Sequence, residues 1–194
     1  IAVAMFLFST VESMREGVSE ATMQNAEDST LIVYRENRFC PFSSRLPQFY
    51  EDRITRLDGV REVIPMQIHV SNCRASLDVV TFRGVPKDDL ELVVSGGNSI
   101  VDGSLQEWKR RSDSALVGES LAARRSISVG DRFTAAGISV YVAAILASDQ
   151  PQDRNVAYVH LPFIQESLRS GAAGAFVAHF SVNVDGPLRM EDVA

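Results

Sequence analysis

The sequence predicts an α+β fold: mixed small sheets with short helices. Three observations carry this. Ile138, Val140, Val142, Ala144 and Leu146, and again Phe176, Ala178, Phe180, Val182 and Val184, recur with the period of two that puts one face of a strand in a core. The helical patterns are short, and two of them, from Pro47 and from Pro162, open on proline and end at Gly59 and Gly171. No internal repeat is visible, and no regular βα alternation runs through the chain.

Residues Ile1 to Val11, IAVAMFLFSTV, carry no charge, and Glu12, Arg15, Glu16 and Glu20 then follow closely. Eleven helical residues rise only about 16 Å, half of a hydrocarbon core of about 30 Å, so this piece does not span a bilayer alone. It lacks a basic leader, which fits a signal peptide poorly. Two readings stay open, the outer end of a transmembrane helix or a buried helix of a soluble domain. Met14 to Asn25 continues the same helix into water. At the other end, Met190 to Ala194 resembles a first helical turn with acidic residues at its positive pole. Both termini have the look of a segment cut from something longer.

Thr30 to Arg35 is β-rich and leads into a loop holding Cys40, Pro41 and two serines. From Pro47 the residues Tyr50, Ile54 and Leu57 recur at helical spacing, and Gly59 ends the helix. Val60 to Val70 reads as a strand with Pro65 marking an edge or a bend. After Asn72 and Cys73, Ser76 to Val85 runs back to complete a hairpin. Residues 86–111 connect into a second part of the chain through an acidic patch at Asp88, Asp89 and Glu91, a turn at Gly96 and Gly97, and a helix around Leu105 to Arg110 with Trp108. Ser114 to Gly118 is a short apolar strand or turn, and Glu119 to Arg125 a short helix. Ala136-Gly137 is a turn, after which Ile138, Val140, Val142, Ala144 and Leu146 share one strand face opposite Ser139 and Tyr141. Val156 to Leu161 is another strand, Pro162 opens a helix through Leu168 that Gly171 closes, and Ala175 to Val184 is a strand long enough to return to the first sheet.

Composition bounds the function. The chain has 194 residues, is 45% hydrophobic and 23% charged, and contains 12 Gly and 7 Pro, which excludes disordered and collagen-like classes. Nineteen basic residues against 25 acidic ones give a net charge of -6, so no broad grip on nucleic acid is expected. There is no GxxxxGK[ST] phosphate loop, no HExxH and no CxxC, and Gly96-Gly97 lacks the remainder of a dinucleotide fingerprint. No catalytic residue, cofactor-binding residue or metal ligand is assigned.

Gly118-Glu-Ser-Leu-Ala122 superficially resembles a nucleophile elbow, with Ser120 as nucleophile, His160 or His179 as base and Asp149 or Asp153 as third member. A full elbow has glycine two residues after the serine, where this chain has Ala122, and Ser120 reads more simply as a residue in the first turn of a helix. His69, His160 and His179 each stand alone in apolar stretches and read as satisfied strand histidines. Phe39, Phe42, Phe49 and Tyr50 read as packing under the loop around Cys40.

Cys40 and Cys73 are the two cysteines, both in polar, loop-like surroundings. That setting suggests a disulfide and an oxidising compartment; two unconnected thiols are the alternative. A bridge closing about thirty residues adds about 3 to 4 kcal/mol in the chain-entropy treatment.

Four stretches carry a family resemblance: Ala115-Leu-Val-Gly-Glu-Ser-Leu-Ala122, Ile127-Ser-Val-Gly-Asp131, Gly137-Ile-Ser-Val-Tyr-Val-Ala-Ala-Ile-Leu146 and Val156-Ala-Tyr-Val-His-Leu-Pro-Phe-Ile-Gln165. In this order they resemble the extracytoplasmic domain of MacB/FtsX-type ABC transporter permeases. Ala144 stands where that family usually has glycine, and the cysteine pair is not a general family feature. The resemblance implies a two-lobed MacB-like periplasmic domain. Residues 1–29 would be the outer end of a first transmembrane helix and its extension, 30–85 plus 175–194 a membrane-proximal α/β lobe, and 86–174 an inserted, β-rich second lobe.

The function so implied is not enzymatic: the domain would couple cytoplasmic ATP hydrolysis to substrate export or extraction by mechanical transmission. Its implied partners are a cytoplasmic ATP-binding subunit, a second permease copy or paralogue, a periplasmic adaptor protein, and the membrane through flanking helices, with no nucleic acid and no cofactor. The implied location is the bacterial inner membrane, with this domain on the periplasmic or extracellular side. The contrasting reading is a secreted or periplasmic serine hydrolase using Ser120.

Overall fold

A computed structural model describes residues 5–6, 8–17, 30–37, 44–71, 79–94, 98–151, 153–168 and 175–185. Phe39, Cys40, Phe42, Cys73, Gly96, Gly97, Gly171 and the segments 18–29 and 186–194 lie outside the described residues, and with them the expected disulfide and the expected C-terminal helical turn. The first helix, α1, covers residues 8–17, and Phe8, Val11 and Met14 on it are all exposed. No helix among the described residues is long and apolar enough to cross a membrane.

Among the described residues eleven strands and five further short helices follow. β1 (Thr30–Val33) and β2 (Leu46–Pro47) precede a 3-10 turn at Gln48–Tyr50 and α2 (Glu51–Ile54). Gly59, at φ 82, makes the left-handed turn into β3 (Val60–Ser71), which pairs antiparallel with β4 (Val80–Val85) as the predicted hairpin. α3 (Leu90–Val93) and β5 (Asn98–Gly103) lie where the sequence shows only acidic and glycine-rich character. α4 (Leu105–Arg110) starts at Ser104, whose hydroxyl accepts from the Glu107 amide at 3.2 Å. β6 (Ser114–Gly118), α5 (Glu119–Arg125), β7 (Arg132–Ala135) and β8 (Ile138–Ser148) follow, with positive φ at Ala136 and Gly137 giving β7 and β8 a primed two-residue turn. β9 (Val156–His160), α6 (Leu161–Ser167), β10 (Phe176–Val177) and β11 (His179–Val184) complete the chain.

The α+β class with short helices is as the sequence predicts, but the strands pool into one large sheet. Its order is β1-β11-β3-β4-β9-β6-β8-β5, with β7 attached to β8; β10 and β2 form a separate ribbon. The strands of residues 30–85 and 175–184 occupy one half and those of 98–160 the other. The two halves meet where β4 and β9 pair in parallel, Arg83 opposite Tyr158. Pro65 marks a change of partner: β3 pairs with β11 through Met66 and with β4 from Gln67.

Both faces of the sheet are covered. Phe82, Val117, Leu121, Val159, Ile164 and Phe180 anchor one core, under α5 and α6. Leu90, Trp108, Leu116, Leu146 and Tyr158 anchor the other, under α3 and α4. The expected single apolar face of β8 is corrected by a bulge. Its pairing with β6 passes from Val142 to Ala144 and skips Ala143, so Ile138, Val140 and Val142 enter the first core while Ala144 and Leu146 enter the second. One extra residue in a strand reverses its inward parity.

Candidate functional site

The seam between the two halves of the sheet is where charge is buried. Arg83 stands alone between Phe82 and Gly84 in an apolar strand; β4's alternation turns Phe82 into the first core and Arg83 towards the second. Its Nη1 donates to Asp153 Oδ1 at 2.7 Å and to the Tyr158 hydroxyl at 3.1 Å, and that hydroxyl donates to the same carboxylate oxygen at 2.8 Å. Asp153 and Tyr158 are buried and Arg83 is largely so. Burial pushes the Tyr158 phenol well above its ordinary range, and Asp153 adds to that, so it is a permanent donor here.

The segment carrying Asp153 is pinned from several sides. Arg154 donates from Nε to the Ser148 carbonyl at 2.6 Å, and its own carbonyl accepts from the Leu121 amide at 3.1 Å. Arg124 reaches Asn155 Oδ1 at 2.7 Å. Gly118 is required at the start of α5, since a Cβ there would sit 2.4 Å from the carbonyl oxygens of both Asp153 and Arg154. Asp153, Arg154 and Asn155 thus clamp β6 and α5 to β4.

A second buried polar group fixes α4. Trp108 donates from Nε1 to the Tyr158 carbonyl at 3.0 Å and stacks on His160 with centroids 3.8 Å apart. His160 Nε2 lies 2.8 Å from the Trp108 carbonyl, an acceptor only, so that nitrogen carries the proton. Burial lowers the His160 pKa, opposed by its bonds to the Trp108 and Arg111 backbone. Ser114 Oγ lies 2.6 Å from the carbonyls of both Trp108 and Arg111.

His179 is the third. Its ring tilts against Tyr34 at 5.5 Å, and its buried Nδ1 has no hydrogen-bond partner among the described residues. Burial, and then the Arg83 charge, push its pKa down to about 4.

The catalytic reading does not assemble. Ser120 is half-buried in the first turn of α5, and among the described residues no hydrogen bond joins it to His160, His179, Asp149 or Asp153. His160 is committed to Trp108, Asp153 to Arg83 and Tyr158, and Asp149 is exposed. His69 is half-buried on β3. No group of three or more His, Cys, Asp or Glu among the described residues converges to hold a metal. What these groups do is hold strands and helices in fixed relation. Sequence reasoning missed Arg83 and Tyr158; the available signal was a lone charge inside an apolar strand.

The family profile of the MacB-like periplasmic core domain matches residues 1–194. The chain belongs to that family. Solved structures agree in fold with this MacB-like domain. The periplasmic region of MacB from Actinobacillus actinomycetemcomitans superposes with a TM-score of 0.57 at 9% identity, over 85% of this chain and 78% of the other. The extracellular domain of the noncanonic ABC-type transporter YknZ from Gram-positive bacteria gives 0.56 at 14% identity, over 81% and 84%. No curated protein matches the sequence. The Arg83–Asp153–Tyr158 seam of the MacB-like domain lies between the four stretches that carry the sequence resemblance and the outer segments of the chain.

Proposed function

We propose that the protein is the extracytoplasmic domain of an ABC transporter permease subunit and relays cytoplasmic ATP hydrolysis mechanically to substrate export or extraction. The observation that carries this reading is the clamped seam. A lever must move as one body, and here both outer segments and the inserted segment share one sheet whose midline is held by a buried ion pair and a tyrosine. Close-packed interiors transmit strain instead of absorbing it.

Residues 1–29 are assigned to the outer end of a transmembrane helix, which the exposed apolar side chains of α1 support. Residues 30–85 with 175–194 form the membrane-proximal lobe and 86–174 the inserted one. The partners are a cytoplasmic ATP-binding subunit, a second permease copy or paralogue, and a periplasmic adaptor. The location is the bacterial inner membrane, with this domain outside.

The test is reconstitution of the parent permease with its ATP-binding subunit in vesicles, with and without residues 30–184. Loss of substrate movement with ATP hydrolysis retained is the expected result. Transport that survives the deletion overturns the proposal.

A further inference from the structure

Beyond that coupling role, we infer that the edge of β1 that pairs with no other strand among the described residues and the cavity beside it form a docking groove for an extended, acidic segment of a partner protein. β1 and β5 end the strand order of the large sheet, with β7 a further short edge beside β8, and β1 and β5 differ in how their edges are guarded. β5 carries Asp102 and a bulge between Ile100 and Asp102, both of which discourage a further strand from pairing. β1 has none of these devices. Its residues Thr30, Leu31, Ile32 and Val33 are uncharged, pair in unbroken register with β11, and include no proline. Leu31 is 41% and Ile32 43% exposed, on opposite faces of the strand. Such an edge offers its main-chain groups and two apolar side chains to an incoming strand.

The chain leaving β1 leads directly into a cavity of about 580 Å³ walled by Tyr34, Leu46, Tyr50 and Phe176. Arg35 and Arg45 also line it. Neither forms an ion pair among the described residues: Arg45 lies over the Phe176 ring at 4.9 Å, and Arg35 uses its backbone amide on Ser44. Glu36 is the single carboxylate in the lining. In a chain of net charge -6, two guanidinium groups that have no carboxylate partner among the described residues, set beside aromatic walls, select a carboxylate. The occupant that satisfies both features is an extended peptide that pairs with β1 and places an acidic side chain, or its terminal carboxylate, against Arg35 and Arg45.

This surface belongs to the folded domain and does not depend on ATP coupling, so the two proposals fail separately. The probe is a fluorescein-labelled ten-residue peptide of alternating valine and glutamate, read by anisotropy against the intact 194-residue chain. A glutamate-to-lysine version, an internal-proline version and free glutarate serve as competitors. Binding of the glutamate peptide is expected, weakened at least about tenfold by lysine or proline in the peptide and by Arg45→Glu or Arg35→Glu. Asp102→Lys at the opposite edge leaves it unchanged. Circular dichroism melting confirms that each variant is folded, and slowed amide exchange on β1 locates the peptide. Equal binding of the lysine peptide, or protection at β5 instead of β1, overturns the inference. So does competition by glutarate at the same concentration as the peptide, since that assigns the cavity to a small anion. Self-association of the chain that Arg45→Glu abolishes, with no peptide binding, also overturns it in favour of a second copy.

Discussion

Arg83 and Asp153, 70 positions apart in the chain, meet at 2.7 Å across the line where β4 and β9 pair. Removing the carboxylate strands a largely buried guanidinium and leaves the Tyr158 hydroxyl without its acceptor. Asp153→Ala should therefore destabilise the fold by about 3 kcal/mol, discounted from the cost at a fully buried pair because Arg83 keeps some solvent. Arg83→Met should cost about as much, because it leaves the more deeply buried Asp153 carboxylate without its countercharge, held by the Tyr158 hydroxyl. Urea unfolding of both single variants and the double variant measures this as a coupling energy; strict additivity would show that the pair is not a clamp.

Gly118→Ala is a second probe of the same clamp. A Cβ at this position collides with two backbone carbonyls, which no rotamer change relieves. A loss of about 3 kcal/mol or more is expected, against about 1 kcal/mol for Gly130→Ala, where φ is +93 but nothing lies within 4 Å. Thermal melting of the two variants compares them, and equal melting temperatures would refute the close approach at Gly118.

His179 makes stability depend on pH. Its imidazole is neutral in the folded state with a pKa of about 4, against about 6.5 when unfolded. The unfolded chain therefore takes up the proton first as pH falls. The stability contributed by neutral His179 is whole above pH ~6.5 and is lost progressively towards pH ~4, up to about 3 kcal/mol. His179→Gln removes this titration. The difference in unfolding free energy between wild type and variant should shrink or reverse on going from pH 7.5 to 4.5, because carboxylates common to both cancel. A difference independent of pH would show that His179 does not titrate in this way.

Much of the local structure was legible in the sequence. The helix expected around Leu105 to Arg110 is α4, the turn expected at Ala136-Gly137 joins β7 to β8, and the apolar run at 114–118, expected as a strand or turn, is β6. The β8 bulge was not, because Ala143 and Ala144 are both apolar and give no sign of where the parity reverses. Nor was β5, whose half-exposed Asn-Ser-Ile-Val-Asp-Gly lacks the alternation of a strand covered on one side. The seam was the least visible part. Asp153 drew notice as a third catalytic residue, whereas its partners Arg83 and Tyr158 lie on strands whose parallel pairing no local pattern encodes.

Ser120→Ala addresses the hydrolase reading. No base reaches this hydroxyl among the described residues, so the substitution should leave any slow turnover of nitrophenyl esters unchanged and shift stability by less than about 1 kcal/mol. Ester hydrolysis that disappears in Ser120→Ala would reinstate an enzyme.

The central claim is that this domain moves as one body when ATP is turned over elsewhere. Spin labels at Val101 on β5 and at Leu57 in the turn that leads into β3, both exposed, report its internal distance, while Val101 paired with a label on the second permease subunit reports its displacement. Comparing nucleotide-free and ATP-trapped transporter by pulsed dipolar spectroscopy, the account predicts an unchanged internal distance and a shifted intersubunit one. An intersubunit distance that stays fixed between the two states, or an internal distance that changes in its place, would contradict it.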